Sequence, residues 1–202
     1  MEPTTVVKDF QKEVIPDFLP EPVFDRLLQI ILGRSFSWYF TSFVSGFNNK
    51  KEKDNKLFLL SHLVYEKHRH ENLNSEDQCI MGLLVAENMY YYDMTSYYDV
   101  IEETMPKGQF LKIPKEVSRI KINFYPNTSE LQVHGYHKDS EFSHKGALLA
   151  LNTCDGYTKF RETGTKYPSV ANTLLMFDPS EDHCSTTTTN AIGRFNININ
   201  YL

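Results

Sequence analysis

Two imidazoles and a carboxylate stand out in the second half of the chain: His137 and Asp139, separated by one residue, and the more distant His183. Two His and one Asp, with the rest of the coordination sphere open, suit a non-haem ferrous ion. In extended backbone, residues two apart project from the same face, so His137 and Asp139 can grip one ion without distorting the chain. His183 must come in from a separate strand, which demands a fold that sets the two segments face to face. Arg194, eleven residues beyond it, opens the stretch Phe195-Asn196-Ile197-Asn198-Ile199-Asn200-Tyr201. The alternation predicts a strand with two unlike faces. Phe195, Ile197, Ile199 and Tyr201 are expected to pack against helices, while Arg194 and the asparagines face a polar interior. Such an interior is costly unless something binds there. For Asn198 and Asn200 the competing reading is an exposed sheet face.

The elements that would position these groups follow from periodicity. From Ser118 the period is two: Arg119, Lys121, Asn123 and Tyr125 fall on one face, Ile120, Ile122 and Phe124 on the other. After a turn at Pro126-Asn127, further short strands are expected: one running into His137, then 147–151, 157–161, 173–177, 183–188 and 194–201. Turn residues such as Asp155-Gly156 and Pro179 separate them. The prediction is a mainly β fold with N-terminal helices (α+β), a double-stranded β-helix or jelly roll. In the first half, Pro22 with Val23, Leu27, Leu28 and Ile31 spells a helix ending at Gly33. Trp38-Tyr39-Phe40 reads as an anchor into the core. Residues 58–65 fit a strand or a buried helix, and 95–104 fit a helix capped by Thr95. Neither repeats nor a linker divide the chain. It is read as a single domain over 1–202, a helix-rich support (1–117) and a jelly-roll core (118–202).

Composition narrows the function classes. The 202 residues carry a net charge of −5, which argues against a general nucleic-acid surface because phosphate neutralisation needs an excess of Lys and Arg. Three cysteines without C-x-x-C spacing suggest neither a disulfide framework nor a zinc finger, and point to a reducing cytoplasm. No signal peptide and no membrane-spanning run are evident.

Several of these residues carry a resemblance. His137-x-Asp139, the distal His183 and Arg194 resemble the signature of the 2-oxoglutarate- and Fe(II)-dependent dioxygenases. The likeness is nearest to the prolyl-4-hydroxylase-like branch, with its small bacterial and phage-type oxygenases. Asn123-Phe124-Tyr125-Pro126, Leu151-Asn152 and the run Asn172 to Asp178 sit where that branch carries similar segments. The resemblance covers the chain from about Arg119 onward. It implies that His137, Asp139 and His183 hold Fe(II), that 2-oxoglutarate and O2 fill the open positions, and that Arg194 pairs with the distal carboxylate as a planar fork. Tyr125 would add a hydroxyl hydrogen bond to the cosubstrate. Where animal prolyl hydroxylases have a tyrosine before the Leu-Asn pair, this chain has Ala150, so Lys121 or Asn123 would complete the pocket, with Asn196 beside them. The implied reaction is hydroxylation of an unactivated C–H bond with release of succinate and CO2. Asp139 speaks against a halogenase, and Asn200, where the DNA-alkylation repair branch has a second Arg, speaks against repair.

Other readings stay open. The shell could serve as a jelly-roll binding module without chemistry, and a cupin-like metalloenzyme would normally supply an HxH pair. A Ser-His-Asp hydrolase lacks a nucleophile-elbow sequence. His134 and His144 are expected at the surface or just outside the ligand set, and His62, His68 and His70 on a solvated face. Ser185 and the threonines after it could orient His183. The substrate is a peptide or protein, by default a prolyl residue, or else a free amino acid or other small metabolite. Residues 48–55 and the tyrosine-rich 90–98 are expected to line the entrance.

Overall fold

The computed structural model describes residues 12–42, 44, 57–66, 74–84 and 117–201. The expected helix at 95–104, the entrance segments 48–55 and 90–98, and His68 and His70 lie outside the described residues.

The first described elements are a short strand β1 (Glu13–Ile15) and helix α1 (Glu21–Ile31). Pro20 caps α1, Pro22 sits in its first turn, and Glu21 complements the helix dipole there. Val23, Phe24, Leu27 and Ile31 form its buried stripe. Strands β2 (Tyr39–Thr41) and β3 (Leu59–Glu66) follow, so the ambiguous 58–65 run is a strand. Helix α2 (Ser75–Leu84) was not foreseen, although its start is written in the sequence: the Asn74 side chain accepts from the Asp77 backbone amide at 2.8 Å, an N-cap.

The remaining strands are β4 (Val117–Pro126), β5 (Lys145–Ala150), β6 (Cys154–Phe160), β7 (Lys166–Ser169), β8 (Thr173–Phe177), β9 (His183–Ser185) and β10 (Gly193–Tyr201). They form two antiparallel sheets. The larger runs β1-β8-β5-β10-β4-β3-β2 and the smaller β7-β6-β9. This is the mainly β jelly-roll architecture expected, with helices on one side. β1, β2, β7 and α2 are not among the elements that the periodicity predicts. β9 stops at Ser185, short of the expected 188. In place of a strand into His137 there are isolated bridges, Val133 to Thr186 and His137 to His183.

Strand β10 lies between β5 and β4, with Ile197 opposite Leu149 on one side and Ile122 on the other. On this face Ile120, Ile122, Leu149, Ile197, Ile199 and Tyr201 meet Val23, Leu27 and Ile31 of α1 and Ile80, Leu83 and Leu84 of α2 in one apolar core. The other face of β10 and β4 carries Arg194, Asn196, Asn198 and Asn200 opposite Tyr125, Asn123, Lys121 and Arg119 in register. Asn200 is buried and Asn198 half-buried, so the exposed-face reading fails for both.

Two further expectations are corrected. Only Trp38 of the aromatic trio packs inward, with its ring 6.0 Å from Phe124 and 6.2 Å from Phe195. Tyr39 and Phe40, on the edge strand β2, are 62% and 66% exposed. His62 is buried rather than solvated. Its Nδ1 lies 2.7 Å from the Ser37 carbonyl and its Nε2 2.7 Å from Asp77 Oδ1. Both partners are acceptors, so both ring nitrogens must donate. Burial works against that charge, but the bonds to Asp77 and Ser37 prevail and raise the His62 pKa.

Leu27 is fully buried where α1 meets the sheet. Leu27→Ala should therefore destabilise the protein by about 3 kcal/mol, read as a lower urea midpoint with an unchanged slope.

Candidate metal centre and cavity

The polar face of the large sheet and the inner face of the small one enclose a cavity of about 270 Å³. His137, Asp139 and His183 meet on its wall, with one potential ligand atom from each lying within 4.8 Å of the others. His183 is carried by β9. His137 and Asp139 lie on an irregular segment that is locked to β9 by reciprocal backbone bonds, His137 to His183 and back, both 2.9 Å. The segment meets β9 and its continuation through isolated bridges alone, and the one between His137 and His183 brings the two imidazoles to a centroid separation of 4.7 Å.

Each ligand is held by a neighbour. His183 Nδ1 is 2.8 Å from the Glu181 carbonyl. A carbonyl can only accept, so Nδ1 keeps the proton and Nε2 presents its lone pair to the centre. The expected partner, Ser185, is engaged elsewhere: its Oγ lies 2.8 Å from Nδ1 of His134. His134 is buried, not at the surface, and stacks on Tyr125 at 5.2 Å. Phe160 and Phe177 wall the His183 ring at 5.8 and 5.2 Å, and its burial lowers its pKa and favours the neutral, ligating form.

Asp139 Oδ1 is 3.4 Å from His137 Nε2, and Oδ2 is 3.8 Å from His183 Nε2. Asn198 Nδ2 donates to the same Oδ2 at 2.7 Å. Asn200 in turn donates to Asn198 Oδ1 at 3.1 Å and meets His144 Nε2 at 3.1 Å, which fixes the orientation of both amides. Burial pushes the Asp139 carboxyl up, but the hydrogen bond with His137, the His183 ring and the Asn198 amide outweigh it and hold it well below the usual range. The donors fit a divalent ion: two nitrogens and one anionic oxygen converge, and the remaining directions open on the cavity.

Arg194 is 2% exposed. It stands behind the cavity wall, where Nη1 donates to the Tyr157 carbonyl at 2.8 Å and Nη2 to Thr158 Oγ1 at 2.7 Å. Thr158 and Tyr125 themselves border the cavity. Thr158 therefore stands where the sequence reading put the Arg194 fork. Since Thr158 Oγ1 accepts from Arg194, its own O–H is left to donate inward. The guanidinium Nε has no hydrogen-bond partner, and no carboxylate pairs with this buried cation among the described residues. A buried charge without a counter-ion is expensive, and an anion bound nearby would offset that cost. Gly156 makes room for it: a Cβ there would lie 2.8 Å from Arg194 Cδ.

The other predicted pocket residues are also brought together. Asn123 Nδ2 donates to Asn196 Oδ1 at 3.0 Å, and Lys121, Asn123 and Asn196 all border the cavity. Burial pushes the Tyr125 hydroxyl up, so it stays protonated as a donor. Thr158, Arg119 and Lys138 also line the cavity and were not singled out as site residues. The alternation of β4 had already placed Arg119 on the Lys121 face, whereas nothing local marks Thr158.

Among the described residues no helix is long and apolar enough to cross a membrane, and Cys79, Cys154 and Cys184 are buried and free. No protein-family model matches the sequence. No curated protein matches it either. Solved structures do share the fold. A 2OG-Fe(II) oxygenase family oxidoreductase from Burkholderia pseudomallei aligns with TM-score 0.58 at 12% identity, over 94% of this chain and 84% of that one. A viral collagen prolyl hydroxylase from Paramecium bursaria Chlorella virus-1, solved with 2OG, aligns with TM-score 0.55 at 12% identity, over 96% and 97%. A prolyl hydroxylase from Trichoplax adhaerens, solved with a peptide fragment of hypoxia inducible factor, gives 0.53 at 13% identity, over 95% and 83%.

Lys121 yields a pH prediction. Burial, followed by the charge of Arg119, lowers its pKa from 10.5 to about 8. Below pH 8 the ammonium is charged in both states, and its partial burial costs the fold on the order of 2 kcal/mol after allowance for solvent screening. Between 8 and 10.5 the unfolded chain binds more protons, so stability rises with pH. Lys121→Met should stabilise the metal-free protein near pH 7, with the gain shrinking toward pH 10, as measured by urea denaturation at both values.

Proposed function

We propose that this chain is a 2-oxoglutarate- and Fe(II)-dependent oxygenase that hydroxylates an unactivated C–H bond, with a prolyl residue of a peptide or protein as the substrate. The observation that carries this reading is the convergence of His137, Asp139 and His183 on a cavity backed by a buried guanidinium that lacks a carboxylate. The fold shared with prolyl hydroxylases, one of them solved with a peptide, supports it.

The chain's own groups divide the work. Glu181 and Asn198 hold His183 and Asp139 in the orientations that ligation needs, so little reorganisation remains when the ion enters. Thr158 and Tyr125 donate to the distal carboxylate of 2-oxoglutarate, with the Arg194 charge directly behind Thr158. Asn123, Asn196 and Lys121 line the path between that end and the metal ligands, in place of the tyrosine that Ala150 replaces. Leu148 and Phe177 keep the same wall apolar and limit water beside the reacting carbon. When bound, iron with 2-oxoglutarate and O2 supplies the oxidising power for hydroxylation, with succinate and CO2 as co-products. A reducing cytoplasm suits ferrous iron and the three free cysteines.

The test separates metal from cosubstrate. Mn(II) binding, followed by electron paramagnetic resonance, should weaken by roughly two orders of magnitude in Asp139→Ala and His183→Ala. In Arg194→Met the metal affinity should hold while the affinity for 2-oxoglutarate falls by about tenfold or more. Iron-dependent succinate formation should vanish in the first two variants. Metal binding indifferent to Asp139 and His183 would sink the proposal.

A further inference from the structure

The cross-strand register sets the polar rows of the cavity in a definite order. Asn198 holds Asp139 and stands opposite Lys121, so this row marks the level of the metal ligands. Inward-facing rows are two residues apart, about 7 Å along an antiparallel strand. In one direction come Asn196 with Asn123, then Arg194 with Tyr125, the end assigned above to the cosubstrate. In the other direction comes Asn200 with Arg119. Arg119 also borders the cavity. The ligand level therefore lies between two guanidiniums, and a cosubstrate reaching toward Arg194 leaves the Arg119 end unclaimed.

Charge points the same way. Arg119, Lys121 and Lys138 line the cavity, whereas Asp139 is its one carboxylate among the described residues. A divalent metal and a dicarboxylate cosubstrate cancel each other, so the excess of positive charge persists in the loaded site. This lies within a chain whose net charge is −5, so the positive charge is concentrated locally rather than general. Asn200, beside Arg119 in the register, already spends its amide on Asn198 and His144. Among the described residues no carboxylate forms an ion pair with Arg119. On the described residues the Arg119 fork is thus open to a ligand, and a planar guanidinium pairs best with a carboxylate held by two parallel bonds.

We infer that Arg119 anchors a carboxylate of the substrate at the end of the cavity opposite the cosubstrate, so that the oxidised carbon lies close to a free acid group. This rests on the oxygenase reading. The acid could belong to a free amino acid or to the C-terminus of a peptide.

Calorimetry on the Mn(II) protein saturated with 2-oxoglutarate tests this with matched probes: L-proline against L-prolinamide, and an N-acetylated tripeptide ending in proline as its acid or its amide. At least one acid should bind about tenfold or more tighter than its amide. Preference in the first pair identifies a free amino acid, and preference in the second alone identifies a chain terminus. Arg119→Gln should bring acid and amide within about twofold of each other, while Arg119→Lys keeps part of the preference. Both variants should retain the wild-type affinity for 2-oxoglutarate. The inference is overturned if neither acid is preferred by the wild type, if Arg119→Gln leaves the preference intact, or if that variant loses 2-oxoglutarate instead. A wild-type protein that takes up no 2-oxoglutarate fails the oxygenase reading itself, and the inference falls with it.

Discussion

Strand β10 is buried on both sides, and the fold depends on keeping those sides chemically distinct. Its isoleucines and Tyr201 close the apolar core against α1 and α2, while Asn196 and Asn198 line the cavity on the other side and Arg194 stands behind its wall. A one-residue slip against β4 or β5 would put amides among leucines and isoleucines among the metal ligands. Register is therefore enforced by two penalties at once, desolvated amides on one face and lost apolar burial on the other.

The polar face avoids those costs by satisfying itself in pairs. Asn123 bonds Asn196, Asn200 bonds Asn198, and Asn198 bonds Asp139. Asn123 and Asn196 fix one another, as do Asn200 and Asn198, and Asn198 also orients the Asp139 carboxylate. Arg194 is the exception. It finds a carbonyl and a hydroxyl but, among the described residues, no carboxylate, and its Nε has no hydrogen-bond partner. A buried cation without a counter-ion is the costliest polar feature of this face, and it is the one on which the proposed cosubstrate site rests.

The ligand set is assembled by a different device. His137 and Asp139 lie on a segment too irregular to be a strand, yet the reciprocal backbone bonds to His183 place it as firmly as a sheet would at that one point. Beyond it the Asp139 amide donates to the Pro179 carbonyl at 2.9 Å, and from there its carboxylate reaches both Asn198 and the two imidazoles.

By itself, the sequence determined the two-faced alternation of β4 and β10, the helix stripe of α1, and the residue types that suit a ferrous ion. These are properties of periodicity and chemistry that neighbouring residues express locally. It did not reveal which partner each group would take. His62 looks like a surface histidine beside charged residues until α2 brings Asp77 to it, and Ser185 looks like a partner for His183 until His134 claims it. Thr158 is one strand threonine among several until Arg194 arrives from 36 residues away in sequence. Hydrogen bonds of this kind join residues remote along the chain, and their geometry exists only once the two sheets have closed. The tertiary structure therefore decided the partners, because burial, not spacing, selects which polar groups must meet.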